Sequence, residues 1–122
     1  DTVTYRGMMF TGVPNLVWVF GYFRYSWTLR TDLVSDFVCR MLRHAVGKGA
    51  RSVRVELRAA ERDMALGDWN DPEDFNPGYL MRDMHILPRT GASNEWRHSQ
   101  DYLIDKQDFP AIDLEDEIFI YR

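Results

Sequence analysis

Three histidines, one cysteine and a run of carboxylates are the residues of this chain whose types could do chemistry, and their spacing argues against most of it. His44, His85 and His98 lie far apart, and Cys39 shares no zinc-ligand spacing with them. Asp68, Asn70, Asp71, Glu73 and Asp74 gather oxygens of the kind a hard cation needs. Pro72, however, stands where a calcium loop requires Asp or Asn, and Glu73 where it requires glycine, so the stretch reads as a solvated acidic loop. Gly47-Lys48-Gly49-Ala50-Arg51-Ser52 resembles a phosphate loop but follows a helical pattern and precedes a strand pattern. That is the reverse of the order that points helix N–H groups at phosphate, and the segment reads as a helix C-cap. No G-x-S-x-G elbow occurs, and His98, Ser99 and Asp101 adjoin on one expected helix, a geometry that builds no proton relay. Cys39 falls beside an apolar stripe and reads as inert core. No catalytic or metal-ligating set is expected.

What remains is the junction from Gly21 to Leu29, where an aromatic loop feeds a helix. A helix start offers free N–H groups and the positive end of the macrodipole, and at the C-terminal edge of a buried strand it favours an electron-rich ligand group. The same residues also read as a connector whose aromatic side chains pack a hairpin, and the sequence pattern leaves both readings open.

The elements that must position this junction follow from periodicity. Arg6 to Phe10 and Leu16 to Phe20 are apolar runs expected to be strands buried on both faces, joined by a turn at Gly12-Val13-Pro14-Asn15. From Thr28 onward Leu29, Leu33, Val34, Phe37, Val38, Met41, Leu42 and Ala45 recur at helical spacing, with Arg30, Asp32, Asp36, Arg40 and Arg43 mostly opposite. Ser26 or Thr28 is the expected N-cap, Asp32 suits the first turn, and Gly47 and Gly49 end the helix. Ser52 to Arg58 alternates as a strand with one wet face. Asn76-Pro77 is a cap followed by proline at the first helical position, predicting a short helix to Met84. A helix around His98 to Lys106 and a strand over Glu117 to Tyr121 complete an α+β chain. The helical stripe, at roughly 1.5–3 kcal/mol per large side chain buried, needs a sheet to cover. The strands found are too few, so their neighbours are expected from a second copy of this chain or from the remainder of a longer one.

Composition sets the outer bounds. At 122 residues and 45% hydrophobic content the chain can build one core. A single cysteine excludes a disulfide framework and favours a reducing, cytoplasmic setting. No apolar run is long enough to span a membrane. Residues 1–62 hold ten Lys/Arg against five Asp/Glu, about +5, and residues 63–122 hold five against fourteen, about −9, which gives the net −4. Either the acidic tail packs on the basic half, or the basic half faces cofactor phosphates. Scattered basic residues and a negative net charge argue against nucleic acid. The chain opens on Asp1 and reads as a piece of something longer.

Three segments carry a resemblance: GMMFTGVPNLVWVFGYFRYSWTLRTDLVSDFVCRML, FNPGYLMRDMHILPRTG and WRHSQDYLIDKQDFPAIDLED. Together they resemble the C-terminal portion of flavin-containing monooxygenases of the Baeyer–Villiger type, near the subgroup acting on ketones and thioamide-like sulfur compounds. That resemblance implies FAD and NADPH as cofactors of a parent enzyme. It also implies that residues 1–58 are the last part of an α/β, Rossmann-type FAD-binding domain and that residues 59–122 are a C-terminal extension packed on it. By the same resemblance Ser26, Trp27, Thr28 and Leu29 contact FAD, with Trp27 on the substrate side. Phe23, Arg24 and Tyr25 depart from the small polar residues of related enzymes and reshape the pocket. The chain contains no G-x-G-x-x-G and no F-x-G-x-x-x-H-x-x-x-W/P fingerprint, so alone it is expected to bind no cofactor and to be inactive. The alternative expectation is a non-catalytic, homo-oligomeric interaction module that keeps part of the fold.

Overall fold

The computed structural model describes residues 1–71, 73 and 77–122. Asn76, expected to cap a helix, and Pro72 and Asp74 of the acidic stretch lie outside the described residues. The architecture is α+β. Strands β1 (Thr4–Tyr5) and β2 (Met9–Phe10) lead to the long helix α1 (Trp27–Gly47) and strand β3 (Val53–Val55). Short helices α2 (Gly78–Asp83) and α3 (Tyr102–Asp108) follow, and strand β4 (Phe119–Tyr121) ends the chain.

The hairpin forms in a different place from the one the apolar runs predicted. Its turn is at Arg6 and Gly7, both with positive φ (49° and 70°), and it pairs Thr4 with Phe10 and Tyr5 with Met9 in antiparallel register. Left-handed residues at a hairpin turn match the twist of the flanking strands. Gly7 is needed for space as well, because a Cβ there would come within 2.6 Å of the His98 Cβ. The expected turn over residues 12–15 does bend, but its backbone serves β3 instead of folding residues 16–20 back onto β2. Gly12 N–H donates to the Val55 carbonyl (3.1 Å), Asn15 N–H to the Val53 carbonyl (2.9 Å), and the Asn15 side chain accepts from Val53 N–H (3.0 Å). With those groups committed, residues 16–20 join no ladder among the described residues. The segment docks instead through Trp18 N–H on the Met8 carbonyl (2.8 Å).

Helix α1 buries Arg30, Val34, Phe37, Met41 and Ala45, one stripe at three- and four-residue spacing. Leu33 and Val38 are half-buried, whereas Leu42 is 54% exposed, so the buried stripe is narrower than the sequence pattern suggested. Cys39 is exposed, not core, because its position on α1 is nearly opposite that stripe. The helix closes where the glycines predicted. Gly49 takes φ of 70°, and the Ala50 N–H returns to the Ala45 carbonyl at 2.9 Å.

The stripe shares one core with β1, β2 and the β3–β4 pair, and α1 itself lies along α3 and the turn that follows it. Val53, Arg54 and Val55 pair antiparallel with Tyr121, Ile120 and Phe119, so the middle of the chain and its last strand share one sheet. Val53 and Val55 point inward, while Arg54 stays half-exposed and bonds Glu56 at 2.9 Å. Trp96, Phe109, Ile112, Ile118 and Phe119 from the second half fill this core alongside Tyr5, Met8 and Met9. A smaller aromatic core of Phe20, Trp69 and Leu80, joined by Trp18, Phe23 and Leu87, lies beneath the junction.

Helix α3 starts four residues later than expected, at Tyr102. Asp101 caps it, accepting from Leu103 N–H (3.0 Å) and Ile104 N–H (3.3 Å), and Gln100 is left-handed (φ 55°) just before it. His98, Ser99 and Asp101 therefore precede the helix and share no helical face.

Candidate functional site

The junction is an exposed helix start held from beneath by buried polar groups. Ser26 occupies the N-cap position with extended backbone (φ −62°, ψ 135°), but its hydroxyl pairs with that of Thr28 (2.8 Å) and caps no backbone N–H. The first turn holds no acidic side chain; Asp32 lies past it. Ser26, Trp27 and Thr28 face outward and Leu29 is half-buried. Trp27 is 54% exposed, yet its ring lies against Gly21, where a Cβ would stand 2.0 Å from the indole. Phe20 approaches the same ring at 6.2 Å between centroids. Glycine at position 21 is what lets the indole settle on the backbone.

One turn into α1, the sequence pattern placed Arg30 on the polar face, and the structure corrects this. Its spacing to Val34, Phe37 and Met41 puts it on the buried stripe, fully enclosed. Its guanidinium donates to Asp105 Oδ2 (2.6 Å) and to the Arg6 carbonyl, and it lies 5.6 Å from the Tyr22 ring centroid and 5.4 Å from that of Phe109. Asp105 also accepts from the Tyr22 hydroxyl (2.6 Å) and from Ser99 Oγ (2.7 Å). Burial, then the bond to Asp105, pushes the Tyr22 phenol well above its ordinary range, so it stays a donor. Gln100 completes the support: Phe23 N–H donates to its Oε1 (2.8 Å), and its Nε2 donates to the Gly21 carbonyl (3.0 Å). Helix start, aromatic loop and the segment before α3 are thus one hydrogen-bonded unit.

Sequence reasoning missed Arg30, Gln100 and Asp105. The signal for Arg30 was present, since it stands four residues before Val34 on the buried spacing. Gln100 and Asp105 carry no local signal, because their partners in the junction lie 75 to 83 residues away.

The other chemistry-bearing residues are dispersed. His44 meets Glu115 (2.8 Å), and His98 stacks on Trp69 (4.5 Å between centroids) with Nε2 on the Trp69 carbonyl (2.8 Å). Asp68 pairs with Arg89 (2.9 Å), and Lys48 holds both carboxylate oxygens of Glu115 (3.1 and 3.0 Å). No group of three candidate ligands gathers for a metal among the described residues. A cleft of about 560 Å³ is lined by Arg6, Asp68, Trp69 and Arg97 and, on the side of the brace, by Gln100 and Asp105.

The two charged halves meet inside the chain. Arg30 with Asp105, Arg58 with Glu95 and Asp116, and Lys48 with Glu115 all join the basic half to the acidic one. This favours the packing explanation of the charge split.

The sequence of the chain, compared with known proteins, relates it to the flavin-containing monooxygenases, of which it matches a C-terminal portion. It is 44% identical over 105 residues to the FAD-containing monooxygenase EthA of Mycolicibacterium smegmatis, covering 86% of this chain and 20% of that protein. It is 36% identical over 118 residues to the putative FAD-containing monooxygenase MymA of Mycobacterium tuberculosis (97% of this chain, 22% of the relative). It is also 28% identical over 120 residues to the probable FAD-binding monooxygenase AlmA of an Acinetobacter species (97% and 23%). The chain spans about a fifth of the length of these curated relatives. No protein-family model and no solved structure matches it.

Proposed function

We propose that this chain is the flavin-edge segment of an FAD- and NADPH-dependent monooxygenase. Its reaction would be Baeyer–Villiger oxygen insertion into ketones or oxidation of sulfur compounds, and the chain alone would be inactive. The observation that carries the reading is the α1 start, outward-facing and uncapped by Ser26, yet fixed by the buried Arg30–Asp105 pair. Relatives whose names carry FAD support that half of the cofactor reading.

The residues fit part of that cofactor. Ser26 and Thr28 present hydroxyls beside first-turn N–H groups, which suits electron-rich atoms at a flavin edge. Trp27 offers an aromatic face, and Leu29 closes the turn from below. No segment has the glycine pattern for a pyrophosphate, so that share of the binding falls to the rest of the parent protein. When bound, FAD supplies the redox chemistry that activates dioxygen. This chain's share is to orient the ring edge and exclude water, with Trp27 on the substrate side and Phe23, Arg24 and Tyr25 shaping the approach.

The parent remainder is the partner in this reading: residues 1–58 complete the Rossmann-type FAD domain and residues 59–122 buttress it. Exposed Trp27, Leu42 and Val46 (54%, 54% and 75%) are the apolar surface on α1 for it to cover. The same surface supports a second reading, a homo-oligomeric module. Sedimentation equilibrium of the isolated chain separates the two, with a concentration-dependent dimer supporting the second. A cytoplasmic setting belongs to the monooxygenase reading.

The decisive experiment substitutes Trp27→Ala and Thr28→Ala in the full-length flavoprotein. The expected result is a flavin absorption shift and at least fivefold weaker FAD binding. An unchanged spectrum with unchanged affinity refutes the site. Reading the gene upstream of Asp1 is a second check, with two G-x-G-x-x-G segments expected.

A further inference from the structure

We infer that Gln100 is a positioning residue for the flavin-facing turn, acting through the loop that launches it. The inference rests on the FAD reading of Ser26 to Leu29 and adds a residue 71 positions further along the chain than Leu29.

The geometry has three parts. The Gln100 carboxamide bonds the backbone on both sides of Tyr22, accepting from Phe23 N–H at 2.8 Å and donating to the Gly21 carbonyl at 3.0 Å. One side chain thereby replaces the ladder partner that this extended segment lacks, since residues 16–20 and the loop after them join no sheet among the described residues. Gln100 also holds a left-handed backbone (φ 55°), a conformation disfavoured for a residue with a Cβ. It is sustained where the surroundings over-determine the residue, and here they do. Asp101 caps α3 immediately after it, and Ser99 before it is tied to Asp105. Finally, Gly21 is the residue on which the Trp27 ring rests. A shift of the Gly21 carbonyl therefore moves the seat of the indole.

The requirement is for an amide. Glutamate would keep the bond from Phe23 N–H but set a carboxylate oxygen against the Gly21 carbonyl, and alanine would lose both bonds. Glycine would lose both bonds while relieving the left-handed backbone, which separates the side chain's role from the conformation's.

The test uses the full-length, FAD-loaded protein with Gln100→Ala, Gln100→Glu and Gln100→Gly, and Trp27→Ala as reference. Amide hydrogen exchange over residues 22–29 is expected to speed about tenfold in the Ala and Gly variants. The flavin absorption band should shift in the direction seen for Trp27→Ala, with FAD binding weakened threefold or more. Gln100→Glu should fall between these variants and the parent, and it carries the comparison if Gln100→Ala does not fold. Unchanged exchange over 22–29 overturns the inference, as does recovery of the parental spectrum in Gln100→Gly. A spectrum that responds to Trp27→Ala but to none of the Gln100 variants overturns it while leaving the FAD reading intact. A spectrum that ignores Trp27→Ala overturns both.

Discussion

At the scale of single residues, the junction depends on groups that do not face outward. Arg30 and Asp105 are an ion pair with almost no solvent access, at 0% and 5% side-chain exposure. Removing one member of such a pair strands a buried charge, which costs about 3–5 kcal/mol. Arg30→Met is therefore expected to lower unfolding stability by that amount, whereas the Arg30→Met/Asp105→Asn double variant should recover part of the loss. Urea denaturation of the four proteins in a double-mutant cycle measures the coupling, and additive losses would show that the pair is not the anchor. Gly21 gives a second prediction. With a Cβ placed 2.0 Å from the indole, Gly21→Ala should evict Trp27 from its seat. Acrylamide quenching, compared against Trp27→Phe to isolate this ring among four tryptophans, should rise. Neither effect was expected from the sequence: glycine reports a need for space without naming the neighbour, and the spacing that put Arg30 on the stripe was outweighed by the expectation that a charged residue on a helix faces solvent.

At the scale of elements, periodicity was legible and pairing was not. The spacing from Val34 to Ala45 and the glycines after Val46 mark α1 nearly to its ends, and the alternation of Val53 and Val55 marks β3. The apolar runs before α1 misled because hydrophobicity says that a segment is buried, not which backbone it pairs with. Arg6 and Gly7 put the turn earlier, and Asn15 spent the later bend on β3. The expectation also erred on Cys39, whose chain neighbours Phe37, Val38 and Met41 are apolar although its own position on α1 is nearly opposite the buried stripe. Its exposure predicts that a thiol reagent such as DTNB modifies native Cys39 at near the rate of a denatured control. Protection by more than a hundredfold would mean that α1 is rotated or that a partner covers this face. In the full-length protein the same measurement maps which side of α1 the remainder covers.

At the scale of the whole molecule, the uneven charge of the sequence becomes internal structure, and that sets its response to acid. Arg58, just past β3, bonds Glu61 (2.8 Å), Glu95 (2.5 Å) and Asp116 (2.7 Å), tying the middle of the chain to the segment that leads into β4. Burial pushes the carboxyls of Glu61 and Asp116 up. The bonds from backbone N–H groups and from the Arg58 guanidinium outweigh it, so both titrate below their usual range. A carboxylate whose folded pKa is depressed adds stability that is fully present above its unfolded value, near 4, and is lost as pH falls through the folded value. Stability from this cluster should therefore be level between about pH 5 and 7 and decline below about pH 4. Arg58→Met removes the charge-assisted bonds to three carboxylates and leaves them facing one another, for a loss of about 2–3 kcal/mol at neutral pH. It should also flatten the acid limb, since the depressed carboxyls then return toward their ordinary range. Urea midpoints measured from pH 3 to 7 for both proteins decide the matter. If the variant keeps the parental slope below pH 4, the acid response originates elsewhere and Arg58 is not the clamp that closes the acidic tail onto the basic half.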